Sequence, residues 1–213
     1  MNCIINYKGT SIFSTFSLFI LFGISPNFAS ESTTEDHSHH RHMIKNSGKY
    51  TNNSRNYVVP DVTLVQSDGV KIPLKSLLNG DKTVILNFIF TSCTTICPVM
   101  SGTFAQVNSK ILSKTDNLRM ISISIDPEYD TPNRLEKYSE KFGANSNWIF
   151  LTGDLQDIIS VQKAFNAYRG KKMNHTPATF IHIANKPTWM RLNGFASSDD
   201  IISELKKLSH NKL

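Results

Sequence analysis

Thr83-Val-Ile-Leu-Asn-Phe-Ile-Phe-Thr-Ser-Cys-Thr-Thr-Ile-Cys-Pro98 is a nearly unbroken β-rich run that ends in two cysteines and a proline. Apolar residues on consecutive positions, rather than alternating ones, suit a central strand covered on both faces. Pro98 lacks an N–H and disfavours helical geometry at the residue before it, so a helix should begin near Cys97-Pro98 and run to about Leu112. Strand, short loop, helix is the ligand side of an open α/β sheet. Cys93 and Cys97 therefore fall at the positive end of a helix, where free N–H groups favour thiolate over thiol.

Working outward, Val58–Val65 and Val70–Leu74 flank Ser67-Asp68-Gly69 and predict an N-terminal β-hairpin. Leu118–Ile125 is a further β-branched strand, and Asp130-Thr131-Pro132 opens a helix reaching Phe142, with Asp130 or Thr131 as its cap. A short strand at Trp148–Leu151 precedes a helix from Asp154 to about Tyr168. Ala178–Ile183 and Trp189–Leu192 are strands joined by Ala184-Asn185-Lys186-Pro187, and Ser197–Leu208 closes the chain as an amphipathic helix. This alternation predicts an α/β fold with a mixed central sheet flanked by helices.

The chain of 213 residues suits one domain at 57–213, preceded by two segments of different composition. Residues 1–30 hold one lysine, no acid and an apolar stretch from Ser11 to Ile24, the pattern of a signal peptide or of an uncleaved N-terminal anchor. Either reading predicts export, to the periplasm or the outer face of the inner membrane. Residues 31–56 are polar and read as a flexible linker. Its stretch Asp36-His37-Ser38-His39-His40-Arg41-His42 is either a low-specificity metal scavenger or solvated linker. The net charge of +6 comes from scattered lysines and arginines with no interleaved aromatics, which excludes a nucleic-acid surface and leaves an acidic protein partner as an option.

The three cysteines are Cys3, inside the leader, and the pair Cys93 and Cys97. A disulfide between residues four apart closes too small a loop to stabilise the fold much, so chemistry explains the pair better. Its three-residue spacing is wider than the two of ordinary thioredoxin motifs, which leaves room for a soft cation between the sulfurs. His175, in the loop Met173-Asn174-His175-Thr176-Pro177 ahead of the Ala178 strand, can face the cysteine loop if that strand neighbours the central one. Two sulfurs and one imidazole form a soft, low-coordinate set that favours copper(I) over magnesium or calcium, and is one ligand short of a closed structural zinc site. Met100, Met120 and Met190 sit in apolar patterns and read as core, whereas Met173 is unassigned. His182, alternating in a strand, and His210 read as structural or solvated.

These marks together resemble the Sco/SenC family of copper chaperones over roughly Pro60–Leu208. The resemblance is carried by Thr91-Ser92-Cys93-Thr94-Thr95-Ile96-Cys97-Pro98, by Ser124-Ile125-Asp126-Pro127-Glu128-Tyr129-Asp130-Thr131-Pro132, and by His175. It implies a thioredoxin-like fold, copper as Cu(I) or Cu(II) held by Cys93, Cys97 and His175, and delivery to a copper-accepting protein such as cytochrome c oxidase subunit II. It also implies a thiol-redox partner if the protein is instead a thiol-disulfide oxidoreductase using Cys93 and Cys97. A peroxidase built on Cys93 is the weaker third alternative, for want of an arginine placed to bind peroxide. Asp126 is linked by the resemblance to copper handling or partner docking, while the local reading is that Asp126-Pro127 shapes a turn. Thr176-Pro177 is placed where thioredoxins carry a cis proline, which keeps a redox role open.

Overall fold

A computed structural model describes residues 50–112 and 117–210. The leader, the histidine-rich stretch 37–42 and Cys3 lie outside the described residues. The elements in order are β1 (Tyr50–Arg55), β2 (Thr63–Gln66), β3 (Lys71–Pro73), α1 (Leu74–Leu78), β4 (Thr83–Ile89), α2 (Ile96–Val107), β5 (Leu118–Ser124), α3 (Pro132–Lys141), β6 (Trp148–Thr152), α4 (Leu155–Ala164), β7 (Ala178–His182), β8 (Trp189–Gly194) and α5 (Ser198–His210). Beyond Val107, α2 continues as a π-helical turn, Asn108–Leu112. Eight strands form one sheet in the order β1-β8-β7-β4-β5-β6-β2-β3. β4, β5 and β6 run parallel, and the other pairings are antiparallel.

β4 is the central strand its composition predicts, with Val84 to Ile89 all buried. On one face Phe88 meets Phe165 and Phe180 edge-on, and Tyr57 and Trp189 complete an aromatic cluster under the end of α4. On the other face Phe104 of α2 and Tyr138 of α3 pack against Trp148 and Phe150 of β6. Between them Ser122 donates to Asn87 and accepts from the Trp148 indole, a buried polar tie joining β4, β5 and β6. Met100 and Met120 are buried among these residues, as their pattern predicts. His182 stacks on Trp189 and contacts the Lys186 carbonyl, so it is structural.

Three expectations shift. Residues 50–55, assigned by composition to the linker, form the edge strand β1 and pair with β8. Backbone pairing suffices there, and because only Tyr50 is partly buried no apolar pattern marks the strand. The hairpin around Gly69 (φ +88°) is shorter than expected: Val58 is 86% exposed, and Leu74 begins α1 rather than ending a strand. Finally, α4 stops at Ala164, and Asn166 at φ +51° turns the chain out of the helix before Tyr168. Among the described residues no helix is long and apolar enough to cross a membrane.

Candidate metal centre

The parallel end of β4 delivers its chain into the cysteine loop, and three hydrogen bonds close that loop on itself. The Cys93 amide donates to the Phe90 carbonyl (3.1 Å), the Cys97 amide to the Cys93 sulfur (3.5 Å), and the Phe90 amide to the Cys97 sulfur (3.4 Å). The Cys93 sulfur is thus held against an N–H in the first turn of α2 and the Cys97 sulfur against one just past β4, with Thr95 in the N-cap position of α2. Both cysteines are free, Cys93 half-buried and Cys97 fully buried.

That difference in burial separates the two thiols, which helix position alone had placed together. Burial pushes the Cys93 thiol up, but hydrogen bonds from Cys97 and Thr95 outweigh it and leave its pKa lowered. Burial pushes the Cys97 thiol up to about 12, further than the Phe90 amide can pull it back, with Cys93 and Asp130 adding to the rise. The expectation that the helix terminus would favour thiolate at both sulfurs therefore holds for Cys93 and fails for Cys97, because desolvation at full burial exceeds the helix-end effect.

Asp130 is the residue the sequence reading missed. It does not cap α3: Thr131 occupies the N-cap position, with no side-chain cap bond. Its carboxylate is fully buried and accepts from the Thr91 amide (3.0 Å), the Thr91 hydroxyl (2.5 Å) and the Ser124 hydroxyl (2.5 Å). It thereby fastens the first residue of the cysteine loop to the end of β5. Three donors converge on its two oxygens, an arrangement that suits the acceptor-only carboxylate. The short spacing Ser124–Asp130 around a proline was a visible cue, but the partner 39 residues upstream was not.

β7 pairs antiparallel with β4, Asn87 opposite Thr179, so the loop before β7 lies at the cysteine end of the sheet. His175 stands in that loop behind the 3-10 turn Lys172–Asn174. Its ring is buried and makes a hydrogen bond with the Phe88 backbone, while Nε2 has no partner. It lines a cavity of about 70 Å³ with Ile125, Gln162, Tyr168 and Lys172. Burial lowers the imidazole pKa and neighbouring Arg169 adds to this, against the Phe88 carbonyl, so the ring is neutral at pH 7. Neutral imidazole is the ligating form.

The structure brings Cys93 and Cys97 together and seats His175 separately. Among the described residues no three His, Cys, Asp or Glu side chains are gathered as a metal-holding group. Residues 169–174 of the intervening loop are all exposed, Met173 at 76%. The loop is tied across to the sheet by the ion pair of Lys172 with Asp126, and the Lys172 ammonium also lies 5.7 Å from the Phe90 ring centre. Of the two readings made of Asp126, the structure shows the turn. Its carbonyl accepts from the Tyr129 and Asp130 amides in a turn, and its carboxylate faces the histidine loop. The described residues contain no cis peptide bond, so Thr176-Pro177 is trans and the thioredoxin-type argument for redox chemistry falls.

A mixed sheet with a cysteine pair at the start of the helix after its central strand defines a thioredoxin-like thiol protein. Within that class, the sequence model described as SCO1/SenC matches residues 50–210. The chain belongs to the SCO1/SenC family. A SCO1 protein homolog of Bacillus subtilis (strain 168) is 31% identical over 172 residues, spanning 76% of this chain and 88% of that protein. The solved structure of BsSco, described as a member of the Sco family of cytochrome c oxidase assembly proteins with a disulfide switch, is 30% identical. It covers 75% of this chain and 98% of that one, with a TM-score of 0.61. Yeast Sco1, solved with copper bound, shares the fold at 19% identity and a TM-score of 0.63, over 75% of this chain and 96% of that one.

Proposed function

We infer that this protein is an extracytoplasmic carrier of copper(I), which it receives on Cys93 and Cys97, secures with His175 and passes to a copper-accepting protein. The observation that carries this reading is the unpartnered, buried Nε2 of a neutral imidazole in the loop beside a preorganised pair of free thiols. A buried polar atom left without a partner costs about 1–3 kcal/mol, and a metal ion would supply the missing partner. The donor set of two sulfurs and one nitrogen fits copper(I), a soft ion content with few ligands.

The two thiols divide the work of loading. Cys93, partly exposed and with a lowered pKa, offers the first thiolate. Cys97 keeps its proton until the ion displaces it, so loading releases protons and weakens as pH falls. His175 joins by movement of the loop 169–174, which is exposed and turns at Gly170 (φ +76°). On delivery the order reverses: an incoming ligand from the partner replaces the imidazole, and the sulfurs release last. The acceptor in this reading is a copper-accepting protein such as cytochrome c oxidase subunit II, a choice supported by the likeness to BsSco, described as a cytochrome c oxidase assembly protein, and residues 1–30 would place the carrier outside the cytoplasm.

The asymmetry of the thiols also favours a second reading, a thiol-disulfide oxidoreductase in which Cys93 attacks and Cys97 resolves. Copper(I) titration of the reduced protein against a chelator separates the two. The carrier reading expects one tightly held ion per chain, lost when the pair is oxidised, and affinity reduced about tenfold or more in His175→Ala with disulfide exchange intact. Copper affinity unchanged by His175→Ala would contradict the assigned site and leave the redox reading standing.

A further inference from the structure

Asp130 fastens the cysteine loop, and its setting implies a second effect. It is a carboxylate at zero exposure, accepting three hydrogen bonds from neutral donors and none from a cation. The nearby ammonium of Lys172 is taken up by Asp126. The charge of Asp130 thus has no cation bonded to it, only the more distant Lys172 ammonium, and it is felt both at Cys97 and at Tyr138, which stands over the same helix turn with its hydroxyl on Ser101. Hydrogen bonding to neutral groups could have been served by an uncharged side chain.

We propose that Asp130 is a positioning residue whose buried negative charge biases the cysteine pair toward cations of higher charge, and so stabilises bound copper(II) relative to copper(I). The inference rests on the cysteine pair being a metal site. The physical basis is Coulombic. A dithiolate holding a monovalent ion carries a net charge of about −1, whereas one holding a divalent ion is about neutral. A fixed anion alongside penalises the first and leaves the second nearly untouched. At an effective dielectric of about 40, between the ~20 of a pair near a protein surface and the ~80 of water, and a separation of several ångströms, one such charge is worth about tenfold in relative affinity.

The test uses two soft ions of different charge that both bind thiolate pairs, silver(I) and mercury(II), so it does not depend on copper being the cargo. Their affinities are measured by competition with a dithiol for the full chain, for Asp130→Asn and for Thr91→Val, which loses one fastening bond and keeps the charge. The mercury-to-silver ratio is expected to fall about tenfold in Asp130→Asn and to change less than about twofold in Thr91→Val. In copper-loaded protein the copper(II)/copper(I) midpoint potential should rise in Asp130→Asn, by about 59 mV for a tenfold effect on a one-electron couple. If Asp130→Asn does not fold, Asp130→Ser in the full chain is measured in its place, with the same fall expected. A ratio unchanged in the neutral variant, or a shift of equal size in Thr91→Val, overturns the proposal. Silver and mercury binding with the expected ratios but no copper binding would refute the copper-carrier function and leave the charge effect intact.

Discussion

The two loops that face each other across β4 and β7 are built to different standards of rigidity. The cysteine loop is closed by three of its own hydrogen bonds and fastened from beneath by a buried carboxylate. The histidine loop is exposed along 169–174, where its side-chain tie is the Lys172 to Asp126 pair, and it meets the sheet through the bond of the His175 ring to the Phe88 backbone. A carrier benefits from that contrast: fixed sulfurs avoid an ordering cost on binding, while a movable third ligand lets the ion leave.

The largest expected effect breaks the rigid side. Asp130→Ala strands one buried and two part-buried donors, and should destabilise the fold by about 3 kcal/mol, within the range for disrupted buried charged networks. Urea unfolding measures this, and a loss below about 1 kcal/mol would mean that the cysteine loop does not depend on its fastening. A smaller effect probes His175 through pH. Its folded pKa is lowered from 6.5, so the unfolded chain binds the proton more readily. Stability contributed by the neutral buried ring is fully present above 6.5 and is lost as pH falls through the folded value. The copper-free urea midpoint should therefore decline from pH 7 to pH 5, and His175→Gln should flatten that decline. The smallest effect concerns the movable side. Lys172 is 40% exposed, so Lys172→Gln should cost less than about 1 kcal/mol. It should nevertheless speed amide exchange in residues 171–175 and leave exchange in residues 93–97 unchanged. Equal acceleration in both loops would show them to be one unit.

How far these features were legible in the sequence follows from how local their causes are. The run Thr83–Phe90 announces a doubly covered strand because every residue in it obeys the same environment. The cysteine loop follows from the strand ending at a proline-marked helix start. His175 could be placed opposite the cysteines once β7 was taken to neighbour β4, since antiparallel pairing fixes which end its preceding loop occupies. What stayed hidden depends on distant partners or on depth. β1 is polar because it lies at an edge, so Tyr50–Arg55 looked like linker. Asp130 looked like a helix cap because its partner, Thr91, lies on another element. Cys97 looked like a thiolate because helix position is visible in sequence and full burial is not.

The central claim is that one ion is shared by the two sulfurs and the imidazole now seated apart from them. Copper-edge X-ray absorption of the reduced, copper(I)-loaded protein, compared with His175→Ala, tests it most directly. The account predicts two sulfur scatterers and one nitrogen in the wild type, with the imidazole outer-shell signal lost and the sulfurs retained in the variant. Identical spectra, with sulfur ligation alone in both, would contradict it.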